Sequence, residues 1–153
     1  MEILPGIDLR PFRPEDQQQV QALILAGLAE HWGTLDPSKN PDLKNIAGSY
    51  AGAVFLVAEQ DDKIVGSGAL VPRSVETAEI VRMSVAAEKR RLRLGSLILK
   101  ELCSQAKKLG FRRIVLETTE TWHEVIDFYK RSGFDITHYK NGDVYFELIL
   151  SDG

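Results

Sequence analysis

The chain has 153 residues, a formal net charge of -3 and a hydrophobic content of 44%. This length fits one domain, predicted over residues 1–153, and allows a core without cross-links. The negative net charge argues against a general nucleic-acid-binding protein, because such proteins gain affinity by neutralising phosphates. The single cysteine, Cys103, excludes an intramolecular disulfide, and neither a signal peptide nor a transmembrane stretch is recognisable. We therefore expect a cytoplasmic protein that binds neither nucleic acid nor membrane.

The N-terminal half is predicted to contain a strand, two helices and three further strands. A short strand over residues 7–10 precedes a helix that begins at Pro14, where proline fits the first turn and Glu15 and Asp16 suit the helix dipole. Asn40 is predicted to be the N-cap of a second, short helix. Three strands joined by short turns follow, at residues 54–58, 63–71 and 77–85. Their short connections predict an antiparallel meander.

The C-terminal half alternates helices and strands. A helix over residues 93–109 ends at Gly110 and leads into a strand over residues 113–117. Thr121-Trp122-His123-Glu124 matches a capping box that opens another helix, which Gly133 ends. Strands at residues 134–139 and 144–150 flank Asn141-Gly142, a strong hairpin signal. The predicted order is β-α-α-β-β-β-α-β-α-β-β, with one parallel βαβ unit inside an otherwise antiparallel sheet.

Positive charge is concentrated in the turn before the helix at residues 93–109. Lys89, Arg90, Arg91 and Arg93 precede the helix, and Gly95 permits close approach of a ligand to the backbone. Since a helix N-terminus favours anions, this turn could hold a pyrophosphate, although a solvated basic loop would have the same composition. Neither G-x-x-x-x-G-K-[ST] nor G-x-G-x-x-G occurs, which disfavours a nucleotide-hydrolysing or dinucleotide-binding protein.

Three segments, in this order and spacing, resemble the GNAT (Gcn5-related N-acetyltransferase) superfamily. They lie at residues 78–85, 90–96 and 127–134. The resemblance implies an α/β fold with a mixed sheet, the GNAT acyl-CoA N-acyltransferase fold. It also implies transfer of acetyl from acetyl-CoA directly to a primary amine of a small molecule, peptide or protein, without a metal. Many members dimerise, so a homodimer through the strand at residues 144–150 is compatible with the resemblance.

The resemblance also implies which residues bind CoA. The family's pyrophosphate motif is Gln or Arg, two residues, Gly, one residue, then Gly or Ala; Arg90 and Gly95 fill its ends, and Arg93 replaces the first glycine. A left-handed backbone at Arg93 would carry a conformational cost, whereas its side chain could add a contact to the pyrophosphate. Trp122 stands where many members have an asparagine. The implied cofactor-binding residues are Met83, Ser84, Val85, Arg90, Arg91, Leu92, Arg93, Leu94, Gly95, Ser96, Trp122 and Tyr129.

Two catalytic residues are implied by the resemblance. Tyr129 occupies the family's Tyr-x-x-x-Gly-Phe motif and would protonate the departing CoA thiolate. Glu79 aligns with a strand carboxylate that acts as base in histone-modifying members, although a structural or surface glutamate fits the same position, and His123 is an alternative base. The backbone N–H of Val85 would face the thioester oxygen, which develops negative charge during attack.

The acceptor would bind between the first two helices, where His31, Trp32 and Tyr50 are the implied substrate-binding residues and Asp36 and Asp42 supply acids. Aromatic side chains in such a segment can also be lids over the core. Two other classes of function stay open. The departures at Arg93 and Trp122 motivate a catalytically weak CoA-binding sensor or regulatory domain, and a purely structural interaction domain is the third reading.

Overall fold

The computed structural model describes residues 6–33, 39–90 and 93–150, and at residue 31 it describes the backbone alone. The order of elements is the predicted one. The strands are β1 (Asp8–Pro11), β2 (Val54–Gln60), β3 (Lys63–Pro72), β4 (Thr77–Val85), β5 (Arg113–Thr119), β6 (Asp135–Lys140) and β7 (Asp143–Ile149). The helices are α1 (Gln17–Trp32), α2 (Ile46–Ser49), α3 (Leu94–Lys108) and α4 (His123–Arg131), with 3-10 turns at Pro14–Asp16, Pro41–Lys44 and Ala87–Lys89.

The strands form one seven-stranded sheet in the order β1-β2-β3-β4-β5-β7-β6. Every neighbouring pair is antiparallel except β4 and β5, which are parallel and are joined through α3. The predicted βαβ unit and the mixed sheet are therefore confirmed. The Asn141-Gly142 turn is confirmed as well, since both residues have the positive φ angles, 52° and 85°, of a type I′ hairpin turn.

Helices cover both faces of the sheet. Phe55 and Val57 of β2 pack in one buried cluster with residues of α1 and α2, whereas Leu56 and Ala58 pack in another with residues of α3 and α4. Successive side chains of a strand point to opposite faces, so the two clusters lie on the two sides of the sheet. The first turn of α4 and the last turns of α1 consequently approach the central strands from opposite sides.

The ladder between β4 and β5 is incomplete. Pairing runs from Thr77 and Arg113 to Glu79 and Val115 and stops there. Within the described ranges, Ile80–Val85 thus pairs with β3 alone. A gap opens between the C-terminal halves of the two strands, in the middle of the sheet.

A β-bulge interrupts β4 at Arg82, which has a left-handed φ of 56°. The register with β3 shifts there, because Ser67 pairs with Ser84 whereas Ala69 pairs with Val81. One extra residue therefore lies on β4. The buried Ser67 hydroxyl donates a hydrogen bond of 2.9 Å to the carbonyl of Arg82.

The bulge changes which backbone groups face the gap. Before it, the carbonyl of Glu76 accepts a hydrogen bond from the N–H of Arg113 and therefore faces β5. After it, the N–H of Ala86 donates to β3. In a regular strand, the backbone groups of Glu76 and Ala86 would face the same edge, because the two residues are an even number of positions apart. Here they face opposite edges, so the bulge has reversed the alternation. As a result the N–H groups of Met83 and Val85 point toward the gap.

Neither predicted N-cap side chain makes a capping hydrogen bond. Asn40 occupies the N-cap position of the 3-10 turn Pro41–Lys44, but its side chain accepts a hydrogen bond from Arg82 instead; the side chain of Asn45 accepts the N–H of Gly48 and caps α2. The capping box at Thr121 is not formed either. Trp122 takes the N-cap position of α4, where no side chain accepts a capping hydrogen bond, and Thr121 lies one residue too early.

A buried ion pair fixes the start of α1. The guanidinium of Arg10, on β1, makes two hydrogen bonds to the carboxylate of Asp16, at 2.8 and 2.9 Å, and a third of 3.0 Å to Glu59 on β2. Arg10 and Asp16 are only 8% and 4% exposed. The hydrogen bond from Arg10 outweighs the effect of burial and holds the pKa of Asp16 below its ordinary value.

We expect Asp16→Ala to lower the free energy of unfolding by about 3–5 kcal/mol, because it leaves the Arg10 charge buried without its main partner. Denaturant unfolding measures this, with Asp8→Ala on exposed β1 as the control. Because the pKa of Asp16 is lowered by folding, its contribution to stability is full above the unfolded value, roughly 3.9, and is lost as the pH falls through the folded value. Equal unfolding midpoints for the two variants would contradict this account.

Candidate functional site

A cavity of about 860 Å³ occupies the gap between β4 and β5. Its walls come from α1, the segment around α2, the ends of β3, β4 and β5, and the start of α4. Many of the residues predicted for the site line it: Tyr50, Glu79, Met83, Ser84, Val85, Arg90, Trp122 and Tyr129. Residues from distant parts of the sequence are thus brought together at the place where the sheet is open.

The other predicted residues have different positions. Arg91, Leu92, Asp36 and the side chain of His31 lie outside the described residues. The residues that begin α3 stand beside the cavity without lining it: Arg93, Leu94, Gly95 and Ser96. His123, the alternative base, is exposed on α4 and does not line the cavity either.

The start of α3 combines a basic turn with a left-handed residue. Arg93 has φ 64° and ψ 13°, the conformation that the family glycine would adopt without cost. Leu94 is buried in the core, so only its backbone is available to a ligand. The first N–H groups of α3 have no partners within the helix, and the helix dipole places partial positive charge there. This end of the site is therefore suited to an anion.

Tyr129 presents a buried phenol to the cavity. Its ring contacts those of Phe128, Phe134 and Phe146, with centroids 5.1–5.8 Å apart, and its residue exposure is 6%. None of the described groups hydrogen-bonds to its hydroxyl. Every fully buried polar side-chain atom of the described residues does have a partner, so this hydroxyl is not fully buried and opens to the cavity. Burial raises the pKa of Tyr129, which keeps the phenol protonated.

Glu79, on β4, lines the cavity as one half of an ion pair. Its Oε1 accepts a hydrogen bond of 2.7 Å from Nε of Arg73, in the turn after β3. Glu79 is largely covered, whereas the Arg73 side chain is about half exposed. A carboxylate with a mobile, solvated partner can exchange that partner for a ligand at small cost, because exposed ion pairs contribute little.

Arg90 is engaged by protein groups in this structure. Its guanidinium makes two contacts with the Glu30 carboxylate on α1, at 2.5 and 3.2 Å, and its Nε donates to the Val85 carbonyl at 3.2 Å. The interaction joins α1 to the end of β4 across the mouth of the cavity. Arg90 therefore covers a backbone group of the strand edge that the sequence predicts to bind cofactor.

Two tryptophans meet at the same mouth. Trp32 ends α1 and Trp122 precedes α4, and their rings lie 5.6 Å apart at an interplanar angle of 58°. Trp122 lines the cavity, and Trp32 is 57% exposed above it. The two predicted residues, one for the acceptor and one for the cofactor, thus form one aromatic contact between the walls.

A polar network at the α2 end of the cavity joins two residues predicted for the acceptor side, Asp42 and Tyr50, to Arg82, which was not predicted for the site. Arg82 donates two hydrogen bonds to Asp42, at 3.0 and 2.6 Å, and one to Asn40 at 3.1 Å. The Tyr50 hydroxyl donates to the same Asp42 carboxylate at 2.5 Å. Burial opposes ionisation of Asp42, but the bonds from Arg82 and Tyr50 prevail and hold its pKa low; burial and Asp42 together raise the pKa of Tyr50.

Further charged side chains in the cavity were also missed: Glu30, Arg73, Arg82, Glu117 and Glu124. Strand alternation could have identified Glu117. Its neighbours Leu116 and Thr118 are buried and face the core, so Glu117 points to the other face of the sheet. No local pattern identifies Glu30 or Arg82, because their partners lie 60 and 40 residues away in sequence.

Two features are absent from the described residues. No group of three or more His, Cys, Asp or Glu there could hold a metal ion. None of the helices in the described ranges has the length and hydrophobicity required to span a membrane.

Residues 18–134 match the family model described as the Acetyltransferase (GNAT) family. The chain is 36% identical over 103 residues to Probable N-acetyltransferase 14 of Xenopus tropicalis, a match that covers 65% of the chain but only 50% of that protein. It is 37% identical to an uncharacterised N-acetyltransferase of Schizosaccharomyces pombe, over 90% of the chain and 91% of that protein.

The fold matches the solved structure of an N-acetyltransferase. The PaiA N-acetyltransferase from Thermoplasma acidophilum, solved in complex with coenzyme A, superposes with a TM-score of 0.82 at 21% identity. The superposition covers 94% of this chain and 99% of that one. The predicted α/β GNAT fold with a mixed sheet is confirmed.

The buried phenol predicts a loss of stability at alkaline pH. Above roughly pH 10 the unfolded chain releases the Tyr129 proton while the folded chain retains it, so stability falls by up to about 1.4 kcal/mol per pH unit from this group. Tyr129→Phe should flatten this loss in denaturant titrations, and Tyr139→Phe, at a site 62% exposed, should not. Parallel curves for wild type and Tyr129→Phe would contradict the effect of burial on the phenol.

Proposed function

Because the chain belongs to the acetyltransferase (GNAT) family, we propose that it transfers acetyl from acetyl-CoA directly to a primary amine. The observation that carries the proposal is the arrangement around the open sheet. The unpaired edge of β4 forms one side of the cavity, and the hydroxyl of Tyr129 opens into the same cavity. A small molecule, a peptide or a protein could supply the amine.

The residues present fit acetyl-CoA. A pantetheine arm carries amides that can pair with a strand edge, and the backbone groups of Met83 and Val85 face the gap without a strand partner. The N-terminus of α3 with Arg90 and Arg93 suits the pyrophosphate. By the family motif, Arg91 and Leu92 complete this turn. When bound, acetyl-CoA supplies a thioester whose carbonyl carbon is open to attack by an amine.

Val85 is proposed to stabilise the transition state. Attack by the amine forms a C–N bond and moves negative charge onto the former carbonyl oxygen. The Val85 N–H points into the gap and is held there by the ladder with β3, so it needs no reorganisation to donate to that oxygen. A single donor of this kind contributes about 2.7–4 kcal/mol to transition-state binding.

Tyr129 is proposed as the general acid. When the C–S bond breaks, the sulfur takes the electron pair and needs a proton. The phenol is protonated at neutral pH, as a tyrosine with an ordinary pKa of about 10 would be, and burial raises the pKa of Tyr129 further. None of the described protein groups competes for its hydrogen. It donates a hydrogen bond and then a proton to the sulfur, and water restores the phenol.

Glu79 is proposed to accept the proton that the ammonium must lose before it attacks. Glu79 lines the cavity, unlike the alternative base His123. Glu117 and Glu124 add negative charge to the same walls, which favours a cationic acceptor. The ion pair with Arg73 must open for this role, and its exposed arginine permits that. Tyr50, Trp32 and His31 remain the predicted acceptor contacts.

The alternative, a CoA-binding sensor with little turnover, was motivated by Arg93 and Trp122. Arg93 keeps the left-handed backbone that a glycine would have, so this departure preserves the backbone conformation at that position. Trp122 lines the cavity and packs on Trp32. Both observations favour a site intact enough for catalysis.

The first test is thiol release from acetyl-CoA with a panel of amines and peptides. We expect turnover by the wild type and a loss of about 10²–10⁴-fold in kcat for Tyr129→Phe, the range for a general acid. Acetyl-CoA affinity, measured by calorimetry, should stay within about threefold because only an oxygen is removed. Tyr139→Phe is the matched control. Tight binding of acetyl-CoA with no product from any acceptor would favour the sensor instead.

The second test concerns Arg90, which must leave Glu30 to reach a pyrophosphate. We expect Glu30→Gln to increase CoA affinity by about 2–5-fold, the range for an exposed ion pair. Glu124→Gln removes the same charge from the same cavity and serves as the control. Equal affinities for the two variants would mean that Arg90 does not exchange Glu30 for the cofactor.

A further inference from the structure

We propose that Asp42 is a positioning residue, which acts through Arg82 to set the bulge of β4 and thereby directs the N–H groups of Met83 and Val85 into the cavity. Its catalytic consequence rests on the proposed acetyl transfer. The geometric part does not, because it concerns the backbone of the ligand-free protein.

The bulge needs an external restraint. A left-handed φ of 56° in the middle of a strand is unfavourable for any residue with a side chain, and Arg82 is not a glycine. An unbulged β4 would also keep a regular ladder with β3. Such conformations persist where the surroundings hold them, so the contacts of Arg82 decide whether the bulge forms.

The contacts of Arg82 converge on Asp42. Both carboxylate oxygens accept from the guanidinium, from Nε at 3.0 Å and from Nη2 at 2.6 Å. The Arg82 and Asp42 side chains are 18% and 26% exposed, so water competes only partly for these bonds. The Tyr50 hydroxyl, at 2.5 Å, orients the carboxylate from a further side. The two-pronged geometry fixes the orientation of the guanidinium as well as its distance.

Both oxygens of the Asp42 carboxylate already accept hydrogen bonds from protein groups. Asp42 lines the cavity and could therefore be taken for an acceptor-binding residue. However, its oxygens are used by Arg82 and Tyr50, which favours an action on β4 over an action on a ligand. Within the described ranges, hydrogen bonds to Asp42 and Asn40 hold the side chain of the bulged residue, two of them to Asp42, and the Ser67 hydroxyl holds its carbonyl.

The effect on the site follows from strand alternation. The bulge adds one residue to β4 and so turns Met83 and Val85 toward the gap. Without it, these two N–H groups would face β3, and the residues between and beside them would face the gap instead. A donor directed away from the reacting oxygen would no longer stabilise the transition state.

The test is a rescue experiment. Asp42→Ala should lower kcat by about 10–100-fold, the loss expected when a preorganised donor is misplaced, with the KM of the acceptor changed by less than about threefold. Glycine accepts a positive φ without a restraint, and at position 82 it also removes the orphaned charge. The double variant Asp42→Ala/Arg82→Gly should therefore be about tenfold or more faster than Asp42→Ala. Asp135→Ala, an exposed acid on β6, is the charge-matched control.

A second readout does not depend on turnover. Backbone amide resonances of Met83 and Val85 should move in Asp42→Ala and return toward wild-type positions in the double variant. Tyr50→Phe, which keeps the ion pair and loses one hydrogen bond, should move them less and guards against a failure of Asp42→Ala to fold. A double variant as slow as Asp42→Ala, or unmoved amides in Asp42→Ala, would overturn the proposal. Absence of turnover in the wild type would overturn the proposed function alone, since the resonances still report on the bulge.

Discussion

The site depends on the absence of strand pairing between the C-terminal halves of β4 and β5. Backbone N–H and C=O groups need partners, and a sheet normally supplies them across every internal pair of strands. Here pairing ends at Glu79 and Val115, so the C-terminal part of β4 has a strand on one side and a cavity on the other. This internal edge accommodates a ligand with amides of its own, and the proposed use of pantetheine is one case of strand addition.

Interactions between distant segments shape the walls of the cavity. Arg10 and Asp16 fix where α1 begins, and Glu30 and Trp32 at its far end contact Arg90 and Trp122. The Arg82–Asp42 pair ties the α2 region to the same strand edge. Thus α1 and the segment around α2 are joined to β4 and α4 by polar and aromatic contacts. Such contacts are individually weak when exposed, which is compatible with the proposed entry of two substrates.

Local pattern was informative where function needs a fixed spacing. Tyr129, four residues before Gly133, was predicted from its motif and lies in the cavity, as does the strand segment ending at Val85. The predicted cap at Thr121 is wrong by one position, and Asn40 holds the predicted N-cap position without making a capping hydrogen bond. Whether a polar side chain caps a helix depends on backbone angles, and at Asn40 the competing partner was Arg82.

The order of elements, the parallel unit, the hairpin at Asn141-Gly142 and the family could be predicted from the sequence, because periodicity, turn residues and short motifs are local. The partners of the charged residues could not, and they are seen only in the folded chain. Glu79 is paired with Arg73, Arg90 with Glu30 and Arg82 with Asp42. The bulge in β4 is also seen only in the folded chain, because an extra residue in a strand is recognised from the register with its neighbour and not from composition. An ion pair forms between charged side chains that lie close together in the folded protein, and their separation along the chain does not specify that distance.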